Sequence, residues 1–213
     1  MDDNRKFEHL SLRKREGDLI MPNWAYTQYI ATGDKEQLKK LHSIMSELEG
    51  MKAPGLHKNG FGSSWLGNLV IKLGGDWEKI YCRGYWDNLL LHDDCSVSFS
   101  VESAWDEPNE VREFIEKKFP KIKLYFQCEE SGMCIYHTND DIGQYFPEKY
   151  YLWVEDGETE YYTTLEAVAK EVENITGSKN LKTLDSCKKA LETYSRNHSD
   201  LCYTLEEFDL LDD

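Results

Sequence analysis

The sequence predicts an α+β fold: an antiparallel sheet with helices on one face only. Three observations predict it. Residues 95–104 alternate, with Val97, Phe99 and Val101 set against Ser96, Ser98, Ser100 and Glu102, the period of two that marks a strand with one buried and one wet face. Residues 122–129 repeat the plan, Ile122, Leu124, Phe126 and Cys128 alternating with Lys123, Tyr125, Gln127 and Glu129. Between them, Val111, Phe114, Ile115, Lys118 and Phe119 recur at helical spacing, with the Lys118 stem lying along the stripe and its charge outside. A helix joining two such strands gives a sheet shielded on one face and partly open on the other.

The other elements follow in chain order. Residues 1–20 are polar and charged, with a basic run at 13–16, and are expected to form a flexible N-terminal extension to a domain spanning 21–140. Residues 24–32 are rich in aromatic and β-branched side chains and read as the first strand. Asp34 and Gln37 have capping-box spacing, and Leu38, Leu41, Met45 and Leu48 give the helix that follows its buried stripe before Gly50. After a loop at 51–62, Ser63 or Ser64 is expected to cap a short inserted helix carrying Trp65, Leu66, Leu69, Val70 and Leu73. Residues 81–92 read as a strand, and Asp93-Asp94 turn it into the next. Asp106 is the expected N-cap of the second main helix, with Pro108 in its first turn and Pro120 past its end. The order is βαββαβ with a helical insert after the first helix, the split-βαβ or ferredoxin-like plan.

Beyond this unit, Ser131-Gly132 turn the chain into a strand at 133–138. Strands at 150–154 and 160–163 flank an Asp156-Gly157 turn, a hairpin signal. Thr163 and Glu166 are spaced as a capping box for a helix bearing Leu165, Val168, Ala169 and Val172. A further helix at 184–196 carries Leu184, Cys187, Leu191 and Tyr194, and the tail reads as one more helical turn. Residues 141–213 are thus an acidic C-terminal hairpin with helices, packed on or beside the first domain.

Composition narrows the function. The 213 residues are 40% hydrophobic and 13% aromatic, enough for a packed core. No stretch of about 18 apolar residues is present, so no membrane span is expected, and the absence of an apolar leader points to the cytoplasm. The net charge is −15, and ten of those charges lie beyond residue 140. Such a surface repels phosphates and argues against direct nucleic-acid binding. Six cysteines form no CxxC pair and no zinc spacing, which reads as reduced, mostly packed thiols. No nucleophile, phosphate-loop or metal pattern occurs, so no catalytic residue, cofactor or metal is expected.

Four stretches, PNWAYTQYIATGD (22–34), WLGNLVIKLGGDWEKIYCRG (65–84), AWDEPNEVREFIEKKFP (104–120) and CEESGMCIYHTND (128–140), together resemble the YubB ferredoxin-like family of bacterial, plasmid and phage proteins. The resemblance covers about 22–151. Where the family commonly has Asn-Trp-Cys-x-Asn, this chain has Ala25 and Thr27 at the last two specified places. The resemblance implies the fold and an association with mobile elements, and it carries no activity.

Four constellations are candidate sites. The outward face of the sheet groups Tyr125, Gln127 and Glu129 with Ser98, Ser100 and Glu102. Trp65, Trp77, Tyr81, Arg83, Tyr85, Trp86 and Trp105 combine rings with a guanidinium, the residues that anchor binding surfaces; packing of large rings into the core is the competing explanation. Glu102, Asp106, Glu129 and Glu130 are candidates for paired-carboxylate chemistry. His137 to Asp141 bring oxygen and imidazole donors without metal-ligand spacing, which reads as a surface loop. The expectation is a non-enzymatic protein that binds another protein through its aromatic groove or acidic C-terminal region, in its sharpest form an acidic inhibitor or DNA mimic. The alternative is a small enzyme using Glu102, Glu129 or Asp106 with Arg83.

Overall fold

A computed structural model describes residues 23–154, 159–198 and 202–211. The expected N-terminal extension and the Asp156-Gly157 turn lie outside the described residues.

Strand β1 (Trp24–Gly33) runs through the middle of the main sheet, with Ala25, Thr27, Tyr29 and Ala31 buried on one face and Tyr26 and Gln28 exposed on the other. It pairs antiparallel with β3 (Val97–Ala104) on one side and β4 (Ile122–Glu130) on the other. Strand β2 (Gly84–Leu91) flanks β3, and β5 (Ile135–Thr138) flanks β4. A two-residue strand, here β9 (Asp209–Leu210), joins β5 in parallel. Among the described residues the sheet therefore has six strands in the order β2-β3-β1-β4-β5-β9, antiparallel except at that last pair. At the end of β1 the chain comes so close to β4 that a Cβ on Gly33 would sit 2.2 Å from the Lys121 carbonyl oxygen. With φ also at 127°, the position requires glycine.

Helices α1 (Lys35–Glu49), α2 (Leu66–Lys72) and α3 (Asn109–Lys118) cover one face. Leu38, Leu41, Met45 and Leu48 of α1 are buried as the spacing predicts, each side chain contributing about 1.5–3 kcal/mol. Asp34 caps α1 by accepting from Gln37 N at 3.1 Å. The Gln37 side chain does not close the box; it accepts from Lys121 N at 3.2 Å and ties the helix to β4. The cap of α2 is Trp65 rather than Ser63 or Ser64, because Ser64 O accepts from Trp86 N and Trp65 bridges to Tyr85, which holds this stretch extended against β2. Helix α3 starts later than expected, with Pro108 at its cap, while the Asp106 carboxylate accepts from Glu107 N at 2.7 Å.

The buried stripe of α3 is the expected one with Arg112 added to it, and Phe114 packs partly buried against the core. Val111, Arg112, Ile115 and the capping Phe119 face inward, and Lys118 is exposed, its ammonium 5.1 Å from the Phe114 ring centroid. Arg112 is tolerated inside because it is matched: its Nε donates to Glu107 Oε1 at 3.0 Å, the Tyr29 hydroxyl donates to the same oxygen, and the guanidinium lies 5.1 Å from the Phe126 ring centroid.

The remaining elements form a second layer. Strands β6 (Tyr150–Val154), β7 (Glu160–Tyr162) and β8 (Tyr203–Glu207) make a sheet ordered β7-β6-β8. Helices α4 (Leu165–Thr176) and α5 (Leu184–Asn197) close its core of Leu152, Val168, Val172, Cys187, Leu191 and Leu205. Thr164, one residue beyond the expected cap, accepts from Ala167 N, and Thr183 with Ser186 makes a complete capping box on α5. The tail is not helical: β8 pairs with β6, and the chain then crosses through Phe208 to the main sheet as β9. Phe208 packs with Tyr136 and Tyr151 in a small cluster at the seam between the sheets.

Candidate functional site

The face of the main sheet away from α1–α3 is built from cross-strand rungs, because side chains of one register share a face. Tyr85, Glu102, Tyr26, Glu129 and Tyr136 are successive neighbours across β2-β3-β1-β4-β5, so tyrosine and glutamate alternate along one rung. The next rung reads Asp87, Ser100, Gln28, Gln127 and Thr138, all short polar groups. The third reads Leu90, Ser98, Ile30 and Tyr125. A bulge between Asp87 and Leu90, with Asn88 at φ 54°, directs the Asn88 amide onto Ser100 Oγ at 3.0 Å.

Two walls rise over these rungs. One is the segment after β5, anchored by residues that the sequence suggested were a surface loop. Asn139 and Asp140 are buried instead: the Asn139 amide accepts from Phe126 N and donates to Leu124 O, and the Asp140 carboxylate accepts from the backbone N–H groups of Gln144, Tyr145 and Phe146. Tyr145 is thereby laid against Tyr125, ring centroids 4.6 Å apart. The other wall is the second layer, from which Tyr161 on β7 donates to Glu129 Oε2 at 2.9 Å. Gln127 Nε2 donates to Glu148 O at 2.8 Å. The result is a cleft of about 570 Å³ floored by Tyr26, Gln28, Ser98, Ser100 and Glu129.

Hydroxyls, amides, tyrosine rings and carboxylates line the cleft, and among the described residues no Lys, Arg or His does. Burial raises the Glu129 carboxyl above the usual carboxylate range, and the Tyr161 hydrogen bond offsets this only in part. Tyr161 is raised in turn, by burial first and then by the Glu129 charge. At the far end of the rung Tyr85 is pushed up to about 12 by burial and by its hydrogen bond to Glu102.

The residues singled out in the sequence fall into three places. Tyr85, Glu102, Tyr125 and Glu129 share the open face. Trp65, Arg83 and Trp105 line a separate groove, together with Trp77 and Tyr81. Trp86 belongs to neither: it is 1% exposed in the core, its Nε1 donating to Glu49 Oε1 at 2.9 Å, which removes it from the binding set. The proposed carboxylates do not converge either, since Asp106 lies 3.6 Å from His137 on the connection into α3 while Arg83 lies in the other groove. Among the described residues, no cluster of His, Cys, Asp or Glu suits a metal ion, and no helix is long and apolar enough to cross a membrane. Sequence reasoning missed Tyr26 and Gln28, whose outward positions in β1 carry the same alternation that revealed Gln127 and Glu129. It also missed Tyr145 and Tyr161, which reach the cleft through contacts that no local pattern encodes.

No family model, curated protein or solved structure matches this chain.

Proposed function

We propose that this chain is a non-enzymatic binding protein that receives a cationic segment of a partner protein in the cleft over the open sheet face. The observation that carries the reading is Glu129 set beside the exposed rings of Tyr26 and Tyr161 in the cleft, which offers ring faces and a carboxylate to the same guest. An arriving guanidinium or ammonium gains cation–π contacts with Tyr26 and Tyr161. Its charge also favours the ionised form of Glu129, against which burial works. The net charge of −15 steers such a partner toward the molecule. An inhibitor or DNA mimic directed at the basic surface of a nucleic-acid-binding protein is the sharper form of the same reading. The unit β2-β3-β1-β4 with its crossing helices is read as the ferredoxin-like plan of the YubB family, and β5, β9 and the second layer as the addition that turns its open face into a cleft.

The test is capture from native lysate followed by calorimetry with the captured protein. Glu129→Gln and Tyr26→Ala are expected to weaken binding by about 2 kcal/mol or more each, the usual cost at an anchor, and affinity should fall with salt. Binding unchanged in both variants would overturn the reading. A second reading is favoured by one observation: a carboxyl held above its usual range beside a tyrosine hydroxyl suits general acid–base work. Turnover abolished in Glu129→Gln, with partner capture intact, would establish the enzyme instead.

A further inference from the structure

We propose that the groove between the 54–63 loop, the 76–83 loop and Trp105 is a second, independent ligand site, for a planar heterocycle that carries a phosphate: a nucleoside phosphate in chemical class. The groove encloses about 1140 Å³ and presents Phe61, Trp77, Tyr81 and Trp105 together with Lys58 and Arg83.

The first support is that both loops are pinned. Asn68, on α2 and wholly buried, accepts from Leu56 N and His57 N and donates to Pro54 O, Gly62 O and Ser63 O. Asn59 repeats the device one layer out, accepting from Phe61 N and Gly62 N and donating to Pro54 O and His57 O. The 76–83 loop is held by the Glu110 carboxylate, which accepts from Tyr81 N at 2.7 Å. A fixed rear wall stands behind them: the Trp65 ring lies so close over Gly67 that a Cβ there would be 2.3 Å away, and its Nε1 donates to Cys82 O. Trp77 meets this wall edge-on at 5.3 Å between centroids. Buried loop backbone needs such partners, and with them the two loops are held in one arrangement, as a preorganised site requires.

The second support is Trp105. It is held at φ 77°, a region that a bulky side chain enters only under strain, and its ring is only partly buried at the groove. Strain of this kind is kept where a side chain must point in one direction.

The third is charge. The molecule is acidic, yet here Lys79 is matched by Asp76 at 2.8 Å and Glu110 is engaged by Tyr81 N, while among the described residues Lys58 and Arg83 stand in no ion pair. Glu78 is the remaining carboxylate of the lining. Indole faces stack on a heterocycle, and a guanidinium fork with an ammonium matches a phosphate.

The site is tested by titrating adenosine, guanosine, cytidine and uridine monophosphates, following tryptophan fluorescence and heat. Inorganic phosphate and a short single-stranded oligonucleotide serve as separate arms. Quenching by at least one monophosphate is expected, with inorganic phosphate far weaker. Trp105→Gly suits the φ at this position, so its melting temperature should hold or rise while affinity falls about tenfold or more. Arg83→Gln should weaken binding about tenfold, most strongly at low salt. Glu129→Gln should leave it unchanged, which separates this site from the cleft. Tighter binding of the oligonucleotide that is equally sensitive to Trp105→Gly supports the site and makes a strand the source of the nucleotide. No binding of any monophosphate or of the oligonucleotide at millimolar concentration, inorganic phosphate binding as tightly as the best monophosphate, or affinity untouched by both Trp105→Gly and Arg83→Gln overturns the proposal.

Discussion

Burial of the Glu129 carboxyl works against the fold when the group is ionised. Its unfolded value lies near the usual ~4.3, and burial raises the folded one. A raised carboxyl makes the native state relatively more stable where it is protonated, and that advantage is lost as pH climbs through the folded value. Glu129→Gln keeps an acceptor for Tyr161 and removes the charge. It should therefore raise the melting temperature at pH 7, show little gain below about pH 4, and bind the partner less well. A thermal shift series across that range checks the sign, and an equal gain at both ends would show that the charge is not the cause. Trp86 poses the opposite case. Trp86→Ala removes a core ring and leaves a cavity behind it, so unfolding free energy in denaturant should drop by about 3–5 kcal/mol.

In α3, burying Arg112 against Glu107 decides how the helix sits. Arg112→Met leaves that carboxylate inside without its cation and should cost about 3–5 kcal/mol. Adding Glu107→Gln should recover a large part, and a double-mutant cycle gives the coupling directly. The same helix shows where sequence reading reaches its limit. Val111, Ile115 and Phe119 were marked by their apolar spacing, whereas the inward place of Arg112 depends on Glu107, itself bonded to Tyr29, 78 positions away in the chain. Strands β3 and β4 were legible because alternation is a local property and each has one face against the helices, and β1 because its aromatic and β-branched content is local too. The segment 203–210 was not, since Leu205 is its single wholly apolar inward residue before Phe208 and its strand character comes from the free edges of β6 and β5. The floor of the cleft could accordingly be read from outward residues of legible strands, while its walls could not.

Among the described residues, two cores are joined at a seam where Phe208 packs on Tyr136 and Tyr151 and where Tyr161 meets Glu129. Phe208→Ala should leave both cores filled but loosen the seam, so that one cooperative melt becomes two, seen when Trp fluorescence and far-ultraviolet signals no longer coincide. A single coincident transition would mean that the seam does not carry the coupling. The passage of the chain from β8 to β9 also sets a schedule for synthesis. The strands that floor the cleft are complete by residue 138, but the chain that binds its outer wall to the main sheet arrives some 70 residues later, roughly 4–14 s at ordinary rates of translation. Throughout that interval the tyrosine and glutamate rung lacks its outer wall, and the cleft closes only once residues 208–210 have left the ribosome.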